Sequence, residues 1–116
     1  MTEAHGAWRI FQLDDLLAGR DPGGRPLYQE FLQVPSLSLA IYRLPAGSKD
    51  MQGVHDEDEV YFVVAGKARI RIGDEERVVG PGNILYVQAS SEHSFFEVEE
   101  DMTLLVLFAP ERRKLR

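Results

Sequence analysis

Three side chains in this chain have the donor chemistry of a divalent-ion shell: His55 and Glu59 in GVHDEDEVYFVVAG (53–66), and His93 in SSEHSFFEV (90–98). A straight strand rises about 3.3 Å per residue, so positions four apart lie roughly 13 Å from each other. Imidazole and carboxylate donors on one ion each sit about 2 Å from it. His55 and Glu59 can therefore share an ion only if DED (56–58) reverses the chain. Acidic runs resist strand pairing and Asp favours turns, so a reversal there is expected, with Glu59 at the start of a returning strand. His93 follows the turn-like ASSE and opens another apolar strand. Two neutral imidazoles and one carboxylate form a partial shell with open positions, the pattern used by non-haem iron and related ions. The plainer reading is a solvated polar turn and a strand-end histidine, and spacing alone leaves both open.

Other candidate chemistry is thinner. His5 falls in a terminus expected to fray. GPGN and DPGG lack phosphate-loop spacing and read as turns. Ser90, Ser91 and Ser94 flank His93 without forming an assignable nucleophile–base–acid set.

The elements that would position these residues are nearly all strands. WRIFQL (8–13) reads as a short N-terminal strand, DDLLAG (14–19) as a turn of helix, and GRDPGGRP (19–26) as a loop. Then come LYQEFLQV, LSLAIYRL, EVYFVVAG, KARIRIG, ERVVG, NILYVQ, HSFFEVE and MTLLVLFA, separated by VPS, PAGS, AGK, GDEE, GPGN, ASSE and EED. Short strands at this spacing predict an all-β sandwich or barrel. In KARIRI, Ala68, Ile70 and Ile72 share one face while Lys67, Arg69 and Arg71 share the other. VYFVV and LLVLF are apolar on both faces and need covering twice, by the barrel interior and by an outer layer. The N-terminal strand or a second subunit could supply that layer, and a homodimer is expected.

Composition bounds the function. At 116 residues, one domain (1–116) is expected. Without cysteine there is no disulfide framework, thiolate nucleophile or Cys-type zinc site, which suits a cytoplasmic location. No signal peptide or membrane-length apolar run is apparent. A net charge of −6 argues against nucleic acid, and the basic tail ERRKLR (111–116) reads as a solvated end.

Over most of 27–109 the sequence resembles the cupin superfamily. That family's first motif is Gly, five residues, His, one residue, His, three or four residues, Glu, six residues, Gly. Gly47, Gly53, His55, Glu59 and Gly66 fall on that spacing. The second motif is Gly, five residues, Pro, one residue, Gly, two residues, His, three residues, Asn. Gly82, Gln88, Ser90, His93 and Glu97 keep its register. Gly53 replaces the first family histidine, Gln88 and Ser90 replace Pro and Gly, and Glu97 replaces Asn, so the turn before His93 is expected to be built differently. The resemblance implies an antiparallel β-barrel or jelly roll (double-stranded β-helix), with barrel core about 27–109. It also implies a divalent metal, iron, manganese, nickel or zinc, held in the barrel mouth by His55, Glu59 and His93. Water, substrate, Gln52 or Asp50 could take the place left by Gly53.

Period two places Tyr61 and Val63 on the face of Glu59, and Phe95 on that of His93. Tyr61 would then hydrogen-bond a small organic substrate or give it a proton, or else serve as barrel core. Three functions stay open. One is a metal-dependent enzyme, of dioxygenase type or a Lewis-acid isomerase or decarboxylase. Another is a non-catalytic small-ligand binder, and the third is a barrel whose metal site has decayed.

Overall fold

A computed structural model of the chain describes residues 6–19, 22–50 and 56–109. One short helix, α1 (Leu13–Ala18), precedes six strands: β1 (Leu27–Val34), β2 (Leu37–Leu44), β3 (Asp58–Ile72), β4 (Glu75–Val79), β5 (Ile84–Val87) and β6 (His93–Ala109). All pairings are antiparallel, in the order β1-β2-β6-β3-β4, with β5 also on β3. The expected all-β barrel of jelly-roll type is what forms. WRIFQL is less regular than expected: Trp8 makes an isolated bridge, and Phe11 packs edge-on against Phe31 with ring centroids 4.9 Å apart.

Two expected turns are not turns. AGK and EED lie inside single long strands, β3 and β6, whose register slips between Val63 and Arg69. From Lys67 to Arg69, β3 advances two residues while its partners on β6 run four, from Glu100 to Phe96. Such bulges bend both strands sharply without ending them. Gly66 makes this possible. Its φ of +97° lies where side chains are strained, and a Cβ there would stand 2.5 Å from Met102 Cα and closer still to the Asp101 carbonyl oxygen. Only a residue without a side chain lets the two backbones cross so closely.

The inner face of the bent sheet carries the core, including Leu44, Tyr61, Val63, Ile70, Phe95 and Leu104. The alternation expected for KARIRI holds for Ala68 and Ile70, which are buried, and for Lys67 and Arg71, which are exposed. On the outer face, the N-terminal segment covers the β1–β2 corner. Ile41 is buried there, and Arg43 Nη1 donates to the Leu17 carbonyl at 3.3 Å. Farther across, Phe62 on β3 and Ile84 and Tyr86 on β5 stay exposed.

Gly66→Ala is expected to destabilise the fold by more than about 3 kcal/mol, because a backbone crossing has no flexible atom to yield. Urea unfolding followed by circular dichroism tests this. A loss under about 1 kcal/mol would mean that the crossing can open.

Candidate active site

Two routes through the fold bring Glu59 and His93 together. Residues 56–57 form a bend and β3 begins at Asp58, so Glu59 is the first inward residue of the strand. β5 pairs with that same end of β3, Val87 lying opposite Glu59. The chain then needs only a short turn to deliver His93. Asp58 Oδ1 accepts from the Ala89 amide at 2.8 Å, and the Ser91 amide donates to the Gln88 carbonyl at 3.1 Å. Ser90 closes the turn with φ +67°, and Glu97 in the β6 bulge has φ +47°. Both replaced motif residues therefore hold left-handed backbone, the conformation Gly and Asn adopt most readily. The turn before His93 thus holds left-handed backbone at Ser90, where the motif has Gly.

Within the barrel His93 Nε2 stands 2.9 Å from Glu59 Oε1 and 3.0 Å from the Tyr61 hydroxyl. His93 Nδ1 donates to the Ser91 carbonyl at 2.9 Å, which turns Nε2 toward the interior. Glu59 is 1% exposed, and its second oxygen, Oε2, is buried with no hydrogen-bond partner among the described residues. A buried carboxylate oxygen left unpaired is costly, which makes Oε2 a candidate position for a further donor or an ion.

The protonation states follow from these contacts. Burial disfavours a charged His93. The Glu59 hydrogen bond, the Ser91 carbonyl and the nearby charges of Glu59 and Asp50 outweigh it, and the imidazole's pKa is raised. Tyr61 is pushed well above the ordinary phenol range, first by burial and then by the Glu59 charge and hydrogen bond. It stays a neutral phenol and acts as a donor rather than a base. Its ring packs edge-on against Phe95, centroids 5.1 Å apart.

Asp50 does turn inward, yet both of its oxygens already serve the protein. Oδ1 accepts from the Tyr42 hydroxyl at 2.6 Å, and Oδ2 accepts from the Phe95 amide at 2.9 Å. It anchors the end of the segment that precedes 51–55 to β2 and β6. Tyr42 was legible as an inward residue, since it alternates with Ala40 and Leu44 in β2. Its carboxylate partner, eight residues away across a loop, was not. His55 and Gln52 lie outside the described residues, and among the described residues no three His, Asp or Glu side chains form an ion-holding group.

The comparisons agree with this architecture. The family model described as "Cupin domain" matches residues 40–109. The uncharacterized protein SCO3923 of Streptomyces coelicolor is 41% identical over 102 residues, covering 88% of this chain and 96% of that protein. The crystal structure of TT1209 from Thermus thermophilus superposes with a TM-score of 0.75 at 27% identity, covering 87% of this chain and 96% of that one. A double-stranded β-helix protein from Klebsiella pneumoniae superposes with a TM-score of 0.74 at 18% identity, covering 89% and 90% of the two chains.

Asp50→Ala is expected to destabilise the protein by about 2–3 kcal/mol and Tyr42→Phe by about 1 kcal/mol, because each strands a buried polar partner. The double variant should lose less than the sum of the two. Strict additivity in denaturant titrations would mean the pair does not interact.

Proposed function

Starting from the fact that the chain belongs to the cupin family, we propose that its barrel mouth binds a divalent metal ion and acts on a small organic molecule there. One observation carries the reading: a buried carboxylate, one oxygen of which has no partner among the described residues, 2.9 Å from an imidazole nitrogen whose ring is locked by a backbone carbonyl. Two donors about 2.1 Å from one ion and at right angles to each other stand about 3.0 Å apart, so the pair fits an ion. Glu59 and His93 would hold it, with His55 as the expected third donor. The ion would supply Lewis-acid or redox activation, the latter being the dioxygenase-type reading.

The chain's own residues do the rest. Ser91 orients His93, and Asp50 secures the near end of the segment that carries His55. Tyr61 offers a neutral hydroxyl to a substrate oxygen at the centre, and Phe95 and Val63 exclude water around it. A second reading, a metal-free ligand-binding barrel, is favoured by the direct contact between His93 and Glu59, which satisfies Oε1 without an ion.

Metal content per chain, by plasma mass spectrometry after growth with iron, manganese, nickel and zinc, separates the two readings. Near-stoichiometric metal is expected in wild type and in Tyr61→Phe, with at least a tenfold loss in Glu59→Ala and His93→Ala. Unchanged content in either alanine variant removes that residue from the site. A wild type that takes up none of the four ions leaves the metal-free binder.

The reading includes a second copy of the chain. Phe62, Ile84 and Tyr86 are 38, 71 and 62% exposed, and the pairings Phe62–Ile84 and Val60–Tyr86 make them neighbours beside Leu105 and Leu107. At roughly 200 Å² per large side chain they leave about 350 Å² of exposed surface. A standard interface takes about 800 Å² from each partner, so this patch would form its apolar core. Light scattering after size exclusion is expected to give a dimer at micromolar concentration, and Ile84→Lys with Tyr86→Lys a monomer. A monomeric wild type ends the proposal.

A further inference from the structure

The register of the sheet assigns a second group of side chains to the barrel mouth. Directly paired residues share a face, so Gln33, Ser38, Phe108 and Glu59 form one row across β1, β2, β6 and β3. Glu30, Ala40, Val106 and Tyr61 form the next, and Tyr28, Tyr42, Leu104 and Val63 the third. None of these rows contains a Lys or Arg. On the β1 side the face is open: Tyr28 is 38% exposed and Glu30 is exposed. Tyr28 stands edge-on to Tyr42 at 5.8 Å and tilted to Phe108 at 6.3 Å between ring centroids. At the rim lies a cavity of about 210 Å³ bordered by Gln33, Leu37, Ser38, Glu57 and Phe108.

We propose that the barrel mouth recognises its ligand by a positively charged end, an organic ammonium group seated against the exposed ring of Tyr28 beside Phe108 and facing Glu30 and Glu57. Aromatic faces attract a cation through their quadrupole, and the carboxylates of Glu30 and Glu57, with no Lys or Arg in these rows, add charge complementarity. The Tyr28 hydroxyl senses the same field. Burial first, then the charges of Glu30, Glu59 and Glu57, raise its pKa above the ordinary phenol range. Glu59 Oε2, buried and without a partner among the described residues, is a separate sign that a further donor or ion belongs at the mouth. A carboxylate or phosphate ligand would meet like charge at Glu30 and Glu57, the imidazole of His93 being already engaged by Glu59. A metal ion at Glu59 and His93 leaves Glu30 and Glu57 uncompensated, so the preference does not require the site to be metal-free. The inference rests on the barrel mouth being the ligand site, not on the identity of any metal.

The test compares three probes of one size and shape by calorimetry and by NMR of the tyrosine rings. Choline carries the charge, 3,3-dimethylbutan-1-ol is its neutral counterpart, and 3,3-dimethylbutanoate is the anion. Choline is expected to bind at least tenfold more tightly than the alcohol, with the anion weakest. Glu30→Gln and Tyr28→Leu should each reduce that preference at least threefold, while Tyr28→Phe, which keeps the ring, should retain it. Circular dichroism and the melting transition of each variant distinguish a lost contact from a lost fold. Equal binding of choline and the alcohol, or tighter binding of the anion, overturns the cation preference and leaves the mouth as the ligand site. Absence of any response from all three at 10 mM overturns the cation preference and counts against the ligand-site reading as well, whereas metal content bears on the metal alone.

Discussion

Two carboxylates buried inside an apolar barrel set the terms for the rest of this molecule. Neither Asp50 nor Glu59 can stay charged away from water without donors, and the fold supplies different ones to each. Asp50 receives a tyrosine hydroxyl and a backbone amide, which use both of its oxygens. Glu59 receives His93 at one oxygen and no described partner at the other. The first is a finished structural joint. The second is open among the described residues, and that difference, rather than acidity itself, is what makes Glu59 the candidate.

The backbone that brings His93 to Glu59 depends on bending rather than on ending strands. β3 and β6 are long, and their bulges let each curve round the core while staying hydrogen-bonded. Gly66 permits the tightest crossing, and left-handed residues at Ser90 and Glu97 re-aim the chain on either side of His93. A serine and a glutamate hold these conformations at some strain, which the surrounding pairing over-determines. The turn therefore makes its left-handed bend at a serine, and the ring of His93 arrives with its inward nitrogen already chosen by Ser91.

Charge follows the same division between inside and outside. Arg71 pairs with Glu76 at 2.7 Å and lies over Phe96, Arg77 meets Glu75, and Arg43 ties down α1. These cations sit on the outer face or the far hairpin, away from the acids at the mouth. The electrostatics of the mouth thus arise from which strand faces turn inward as much as from the net charge.

Much of this was legible in the chain itself, for a local reason. Alternation at period two identified Tyr61, Val63, Phe95, Ala68 and Ile70 as inward, because side-chain direction in a strand is set by the residue's own backbone. The bend at 56–57 agrees with the turn character of its acids, while the reversal expected of 56–58 depends on residues outside those described; the spacing of Gly47, Glu59, Gly66, Gly82 and His93 carried the family resemblance. What the sequence could not convey is non-local. A bulge and a turn look alike in AGK and EED, since both call for the same small or polar residues, and only the continuing partner strand decides between them. Asp50 and Tyr42 meet across a loop, and Tyr28, Glu30 and Phe108 meet because β1, β2 and β6 pair in one particular register. Sequence determined which residues face inward; tertiary structure decided which of them touch, because contact between strands depends on register, and register is a property of the closed sheet.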